Sequence, residues 1–176
     1  MIHRFKNILS FNDFILLNEE FNARHNSWNF LKKDEDTDDH PYMGCLDKPL
    51  SHSDTLGDNL TLIKYVSLLK YECQKKLKHN LTLVRVNTNI QFFGQESSFH
   101  KDKNQPGSWT LILFMSHEWR TEWGGEFVIC DEDGDYHYHA YIPNDAILIP
   151  AHLDHMGFAP NIMCRVPRLS VAYTYS

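Results

Sequence analysis

The stretch Phe93-Gly-Gln-Glu-Ser-Ser-Phe-His-Lys-Asp102 ends in a His-x-Asp pair, and a further histidine, His155, lies far downstream of it. Side chains two residues apart on an extended chain point to the same side, so His100 and Asp102 can bind one ion while Lys101 faces away. The distant histidine must come from a strand that is remote in sequence but close in space. The stretch therefore predicts a metal centre built across strands.

Arg168 follows the downstream histidine and adds a second kind of group to the predicted site. Two imidazoles and one carboxylate on one face of a metal leave about three positions open, an arrangement typical of non-haem Fe(II) oxygenases. An arginine deeper in the same pocket would bind a small dicarboxylate through a bidentate, charge-assisted pair. The residues together predict an open metal site beside an anion anchor.

Length and composition predict one globular domain over residues 1–176, with an apolar content of 42% that is enough for a core. The net charge of −6 argues against a dedicated nucleic-acid-binding protein, which usually has a basic surface. No apolar run reaches the roughly 18 residues of a membrane span. The expected partners are therefore neither membranes nor, as the first choice, nucleic acids.

The cysteines and the start of the sequence predict where the protein works. The start lacks the apolar segment of a signal peptide. None of the four cysteines has CxxC spacing, so free thiols in a reducing compartment are expected. We expect a cytoplasmic protein, in the host cytoplasm if the chain is viral. The cysteines are Cys45, Cys73, Cys130 and Cys164.

Hydrophobic periodicity predicts two helices separated by a long loop. Apolar positions every three or four residues predict a first helix within 8–31 and a second that ends near residue 78. Residues 33–57 contain an acidic run and are punctuated by Pro and Gly, so they are predicted to form a loop. The predicted N-caps are Ser10 or Asn12 for the first helix and Asp58 or Asn59 for the second.

After residue 80 the period changes and short strands are predicted, divided by Gly, Asp-Gly and Pro-Asn turns. The fold class is then α+β, mainly β: a β-sandwich or jelly roll in residues 81–176, buttressed by helices in residues 1–80. The predicted strands lie within 81–90, 109–115, 126–130, 136–142, 146–149 and 169–175.

Several further segments extend the pattern of the opening stretch. They are Trp109-Thr-Leu-Ile-Leu-Phe-Met-Ser-His-Glu-Trp119, Trp123-Gly-Gly-Glu126, Ile142-Pro-Asn-Asp-Ala-Ile-Leu-Ile-Pro150, His155-Met-Gly-Phe-Ala-Pro160 and Arg168-Leu-Ser170. Together they resemble 2-oxoglutarate/Fe(II)-dependent dioxygenases of the prolyl-4-hydroxylase type, close to the small oxygenases of tailed phages and cyanobacteria. The resemblance covers roughly residues 82–175, and the amino-terminal third contributes no matching motif.

The resemblance implies a double-stranded β-helix, which is a form of jelly roll. It implies that His100, Asp102 and His155 bind Fe(II), and that Arg168, helped by Ser170, pairs with the C5 carboxylate of 2-oxoglutarate. O2 would be the second cosubstrate, and the need for ascorbate is left open.

The sequence departs from the family at two positions of the cosubstrate pocket. Gln91 stands where the family often has a tyrosine, and Phe114 where related prolyl hydroxylases can have one. Both changes remove a phenol from the pocket. Gln91 and Thr110 are the expected replacement donors to the cosubstrate.

Other histidines and arginines compete with the residues named above. His152 is an alternative distal ligand to His155, and Arg165 an alternative anchor to Arg168, although Pro167 follows Arg165 and favours a strand start after it. The pair in His137-Tyr-His139 has metal-like spacing, but it lacks an obvious third ligand and is better interpreted as a solvent-facing strand. Trp119 and Trp123, which flank a turn, are expected to pack there rather than to contact substrate.

The predicted activity is hydroxylation of a peptide or protein residue, with proline first, and release of succinate and CO2. The acidic run 34–39 would repel phosphate backbones if the 33–57 loop covers the site as a lid, whereas Lys101, Lys103 and Arg120 could form a small basic patch. The alternatives are the same chemistry on a nucleobase or free small molecule, or a non-catalytic cupin-like metal module. A metal module would not need the anchor Arg168-Leu-Ser170. The oligomeric state is left open.

Overall fold

The computed structural model describes residues 1–23, 29–30, 43–45, 60–104 and 106–176. Within them, two antiparallel sheets face each other, one of seven strands in the order β1-β8-β5-β10-β4-β3-β2 and one of three in the order β7-β6-β9. The elements are β1 His3–Phe5, α1 Phe11–Ala23, β2 Asn29–Phe30, β3 Met43–Cys45, α2 Leu60–Leu77, β4 Leu83–Gln91, β5 Trp109–Phe114, a 3-10 turn Thr121–Trp123, β6 Phe127–Cys130, β7 Tyr136–His139, β8 Ala146–Pro150, β9 Asp154–Gly157 and β10 Arg168–Tyr175.

Strand β10 at the centre of the large sheet shows how side-chain alternation separates core from cavity. Leu169, Val171 and Tyr173 point to the face covered by the helices, where they join the main apolar core. Arg168 and Ser170 point to the opposite face, which lies towards the small sheet and lines a cavity. Burial of each aliphatic side chain on the helix face stabilises the folded state by about 1.5–3 kcal/mol. The residues on that face are therefore needed for packing, and the alternate residues on the opposite face are available for function.

The small sheet gains a fourth segment at its edge. The backbone N–H of His100 donates to the carbonyl of His155 at 3.1 Å, and that of His155 donates to the carbonyl of His100 at 3.0 Å. This bridge, together with the hydrogen bonds between Ser97 and Gly157, fastens the otherwise irregular 92–104 segment to β9. The two sequence-distant histidines therefore become neighbours through their own backbones.

The first helix starts where its cap predicts and ends earlier than its periodicity predicts. The N–H of Asp13 donates to Ser10 Oγ at 3.2 Å, which confirms Ser10 as the N-cap. The helix spans Phe11–Ala23 and residues 29–30 are a strand, so the prediction was wrong for those two residues, and residues 24–28 lie outside the described part of the chain. Residues 29–30 instead form β2, because an extended segment can pair with the edge that β3 offers.

The predicted 33–57 loop contains strand β3, which pairs with β4, so that part of the prediction was also wrong. The edge of β4 carries unpaired backbone groups that an extended segment satisfies. The rest of this segment, including the acidic run and the proposed lid, lies outside the described residues, as do the predicted caps of the second helix.

The mainly β fold class with helices on one face is confirmed. Besides β2 and β3, two further short strands that periodicity did not predict complete it: β1 at the edge of the large sheet, and β9, which carries His155. No helix in the described part of the chain is long and apolar enough to span a membrane.

Candidate metal centre

The structure brings His100, Asp102 and His155 together, with their ligand atoms all within 4.8 Å of one another. Asp102 Oδ2 lies 3.6 Å from His155 Nε2. The two imidazole centroids are 4.6 Å apart. Among the described residues, no other group of His, Cys, Asp and Glu side chains converges in this way.

Backbone carbonyls set the tautomer of both histidines. His100 Nδ1 lies 3.0 Å from the carbonyl oxygen of Ser98, and His155 Nδ1 lies 2.9 Å from that of Leu153. A carbonyl can only accept, so each Nδ1 must carry the hydrogen and each Nε2 is left with its lone pair. Both Nε2 atoms are therefore free to bind a metal, held in place by bonds of the kind that orient metal ligands.

The side chain of Asp102 is only 7% exposed and is held from two sides. Arg85 Nη2 donates to its Oδ1 at 2.8 Å, and Thr110 Oγ1 donates to its Oδ2 at 2.6 Å. Lys101 faces away, as predicted, and its Nζ lies 3.5 Å from Asp154. The carboxylate is thus compensated and oriented in the protein before any ion binds.

The donor set suits a divalent transition metal. Burial lowers the pKa of His155, against the opposing effect of Asp102, so its imidazole is neutral at neutral pH and can ligate. Two imidazoles and one carboxylate match the ligands of non-haem iron, and His100 is solvent-exposed, which leaves the site accessible.

Arg168 forms the other end of the cavity and is 2% exposed. Its hydrogen bonds all go to neutral groups: Nε to the Gly125 carbonyl at 2.9 Å, and Nη1 to Gln91 Oε1 at 2.9 Å and Ser170 Oγ at 3.4 Å. Its Nη2 is buried without any hydrogen-bond partner among the described residues. Burial lowers its pKa to about 10, so the guanidinium still carries its charge at neutral pH. A buried, unpaired cation of this kind calls for an anionic ligand.

Two glycines leave the space that the guanidinium occupies. A Cβ on Gly157 would lie 2.9 Å from Arg168 Nη2, and a Cβ on Gly125 would lie 2.7 Å from the Trp119 ring and 3.3 Å from Arg168 Cδ. Gly125 also has a φ of +76°, which side-chain-bearing residues rarely adopt. Both positions therefore require glycine.

The residues expected to contact the cosubstrate are placed in different ways. Ser170 lies beside the guanidinium, and Phe114 lies under it with its ring centroid 5.8 Å from Arg168 Cζ. The amide nitrogen of Gln91 donates to the carbonyls of Gly157 at 3.0 Å and Gln95 at 3.1 Å, so its oxygen orients Arg168 while its hydrogens are already used.

The expected role of Thr110 also differs from its observed contact. Its hydroxyl donates to Asp102 at the metal end and not toward the guanidinium. Direct contacts of Thr110, Gln91 and Phe114 with a cosubstrate stay predictions.

Tyr141 and Arg85 belong to the site but were not predicted. The Tyr141 ring lies 4.9 Å from Arg168 Cζ, and its buried hydroxyl accepts the N–H of Ser116 at 2.7 Å and donates to the Leu169 carbonyl. Burial raises its pKa, so the phenol stays neutral. No sequence motif marks Tyr141, whereas alternation along β4 could have indicated Arg85.

The competing residues lie away from this cavity. His152 Nε2 bonds Glu132 Oε1 at 3.0 Å, and Arg165 is exposed. His137 lies on an exposed strand with its Nε2 2.6 Å from Asp131 Oδ2, which agrees with its solvent-facing interpretation. The rings of Trp119 and Tyr141 are 4.3 Å apart, so Trp119 packs behind the cavity as expected.

A single cavity of about 100 Å³ connects the two ends. The carboxylate and imidazoles lie at one end and the arginine at the other. Between them the wall is polar along β4 and β10 and apolar at Ile112 and Phe127. The cavity can therefore bind a small, elongated anion that also reaches a metal.

Neither a family model nor a curated protein matches the sequence. Solved structures do match the fold. A prolyl-4-hydroxylase from Pseudomonas putida superposes with a TM-score of 0.74 at 13% identity, covering 99% of this chain and 91% of that one. An oxidoreductase of the 2OG-Fe(II) oxygenase family from Burkholderia pseudomallei gives 0.77 at 13% identity, covering 99% and 84%.

A third solved structure is the epimerase SnoN in complex with Fe3+, alpha ketoglutarate and nogalamycin RO. It superposes with a TM-score of 0.70 at 12% identity, covering 99% of this chain and 78% of that one. At these identities the likeness establishes the fold. The expected jelly roll is confirmed, and the resemblance to the prolyl-4-hydroxylase type is confirmed at the level of structure.

Proposed function

We propose that the protein is an Fe(II)- and 2-oxoglutarate-dependent dioxygenase. The observation that carries the proposal is the pairing of two features in one cavity: three convergent metal-binding side chains, and a buried arginine whose Nη2 has no hydrogen-bond partner among the described residues. Either feature alone is compatible with several functions. Together they match a cosubstrate that chelates a metal at one end and ends in a carboxylate at the other.

The two ends of the cavity divide the binding of this cosubstrate. His100, Asp102 and His155 would hold the iron, and Arg168 with Ser170 would take the C5 carboxylate of 2-oxoglutarate. When bound, iron with 2-oxoglutarate and O2 supplies the oxidation of a substrate C–H bond, with release of succinate and CO2. We call the end at Arg168 the closed end, because Arg168 is buried, and the end at His100 the open end, because His100 is exposed. The protein positions these groups and excludes water from the closed end.

The electrostatics of the closed end favour this assignment. Desolvation strengthens a charge-assisted pair, and Arg168 is held in one rotamer by Gly125 and Gln91 before the carboxylate arrives. Phe114 and Tyr141 flank the guanidinium and keep the end dry. A fixed donor with a free N–H costs little reorganisation on binding.

For the substrate we propose a peptide or protein residue, with proline first. This rests on the prolyl-4-hydroxylase among the similar structures and on the overall negative charge, which disfavours nucleic acid. A free small molecule is the second candidate, because the SnoN complex shows that this fold can also bind one.

Succinate formation tests the activity. Protein incubated with Fe(II), 2-oxoglutarate and O2 should form succinate, and candidate peptides should increase the rate and gain one oxygen by mass spectrometry. Proline-containing peptides, their alanine-substituted versions and single-stranded oligonucleotides should be compared at two salt concentrations. Absence of succinate under all conditions would reject the dioxygenase. Salt-sensitive stimulation by oligonucleotides alone would reject the peptide substrate.

A further inference from the structure

The ion pair between Arg85 and Asp102 is the strongest feature that the proposed function does not use. Arg85 Nη2 lies 2.8 Å from Asp102 Oδ1, and the two side chains are 36% and 7% exposed. The other carboxylate oxygen, Oδ2, accepts the hydroxyl of Thr110. Two donors on different oxygens prevent the carboxylate from rotating.

The register of the large sheet places both donors at one level. On β10, Thr174 pairs with Arg85 of β4 on one side and with Thr110 of β5 on the other. All three positions therefore share one row across the sheet. The sheet itself fixes the two donors, and Asp102 reaches them from the irregular segment that follows β4.

The two oxygens of Asp102 face different surroundings. Oδ2 lies 3.6 Å from His155 Nε2, on the side where the imidazoles converge, whereas Oδ1 is in the ion pair. A guanidinium bonded to Oδ1 competes with a metal for that oxygen. Only Oδ2 is then left to ligate.

A role in attracting the metal does not explain why the donor is an arginine. A positive charge beside the site repels a divalent cation, and a neutral donor such as Thr110 would orient the carboxylate without that repulsion. Arginine differs from a neutral donor in how strongly it holds one oxygen. The role that fits Arg85 is therefore to control how many oxygens of Asp102 bind the metal, and not how tightly the metal binds.

We propose that Arg85 is a positioning residue that limits Asp102 to one ligating oxygen and so keeps metal positions open for 2-oxoglutarate and O2. The inference rests on the proposed function. Without Arg85, Oδ1 is free to ligate as well, which takes a position that the cosubstrate needs. Loss of Arg85 then weakens cosubstrate binding while metal binding is kept.

The test uses Co(II) in place of iron, with calorimetry for Co(II) and 2-oxoglutarate binding and the visible spectrum of the bound Co(II). For Arg85→Gln, 2-oxoglutarate affinity of the Co(II)-loaded protein should fall about tenfold. The spectrum before addition of 2-oxoglutarate should change, and Co(II) affinity should stay the same or rise. Arg85→Lys keeps one donor to Oδ1 and should lie between Gln and wild type, which also covers the case that Arg85→Gln folds poorly.

Arg4 provides a matched control. It pairs with Asp145 at 2.8 Å with exposures of 34% and 4%, close to those of the Arg85 pair, but it lies at the β1 edge of the same sheet. Arg4→Gln should lower the unfolding temperature as much as Arg85→Gln and leave the Co(II) spectrum and 2-oxoglutarate affinity unchanged.

An Arg85→Gln protein with wild-type spectrum and 2-oxoglutarate affinity would overturn the inference, and so would a tenfold loss of Co(II) affinity, on the order of a lost supporting contact. Failure of the wild-type protein to bind Co(II) or 2-oxoglutarate would instead reject the proposed function. The result that would overturn the role of Arg85 can therefore be distinguished from the result that would reject the proposed function.

Discussion

An arginine stands at each end of the cavity, Arg168 in its wall and Arg85 beside Asp102, and the two arginines are in opposite states. At the open end, Arg85 is partly exposed and paired with Asp102. At the closed end, Arg168 is fully buried, and its bonds go only to neutral groups. Among the described residues, Arg85 is in a direct ion pair, whereas Arg168 is in none and feels only the more distant charge of Glu126.

The difference shows what each end is prepared to bind. A buried charge is usually paired, because an uncompensated one costs several kcal/mol. Arg168 has no direct ion-pair partner among the described residues, and Glu126 compensates its charge only from a distance, so an external carboxylate would offset most of that cost. At the open end the protein supplies the anion, and what is missing is the cation between Asp102 and the imidazoles.

Removal of a metal ligand should have the largest effect, because it impairs metal binding at the open end. His155→Ala should lower affinity for Co(II) or Fe(II) by about a hundredfold or more, because one of three ligands is lost, and should abolish turnover. Anaerobic calorimetry measures this. His152→Ala is the matched control, since His152 bonds Glu132 outside the cavity, and should bind metal like wild type. The reverse pattern would show that the ligand assignment is wrong.

Removal of Arg168 should weaken binding of 2-oxoglutarate at the closed end and leave metal binding at the open end unchanged. Arg168→Ala should weaken 2-oxoglutarate binding at least about tenfold, corresponding to about 1.4 kcal/mol, with metal affinity unchanged. Arg165→Ala, at an exposed position, is the control. Unchanged 2-oxoglutarate affinity in Arg168→Ala would refute the anchor and direct attention to Arg165.

Gly157→Ala should test the Arg168 end of the cavity, because the three atoms nearest to its added methyl would all belong to the Arg168 guanidinium, at 2.9–3.0 Å. Overpacking of this kind costs about 1–3 kcal/mol in the free energy of unfolding, measured with denaturant. In an Arg168→Ala background the same change should cost much less, since the colliding group is gone. Equal costs in both backgrounds would show that the collision lies elsewhere.

Gln91→Glu should make the closed end resemble the open one by giving Arg168 a carboxylate. The new ion pair competes with 2-oxoglutarate, so its affinity should fall about fivefold, near 1 kcal/mol. Gln91→Leu removes the same donors without adding charge and serves as the control. A Glu variant that binds 2-oxoglutarate as tightly as the Leu variant would argue against charge competition.

Sequence patterns predicted most of the strands because their alternation is regular. They missed β1, β2, β3 and β9, which are two to four residues long and too short to show a period. They also placed residues 29–30 in the first helix, since periodicity alone cannot show that these residues pair with the edge of β3. Short edge strands depend on partners that are distant in sequence.

At the site, spacing and resemblance predicted the ligands and Arg168 but not the groups that hold them. Tyr141 could not be found, because its hydroxyl bonds and its contact with Arg168 come from segments more than twenty residues away. Arg85 carried a usable signal: on β4 it alternates with Val86 and continues a polar row through Asn87, Asn89 and Gln91. Because the helices cover the other face of the large sheet, these polar side chains of β4 must lie on the face that borders the cavity.

The central claim is that one ligand connects both ends of the cavity, and linked binding tests it most directly. 2-Oxoglutarate should be titrated into the wild-type protein with and without saturating Co(II). We expect at least about tenfold tighter binding with the metal, a coupling of about 1.4 kcal/mol, and loss of tight binding in both Arg168→Ala and His155→Ala. Equal affinity with and without Co(II), or no binding in either case, would contradict the account.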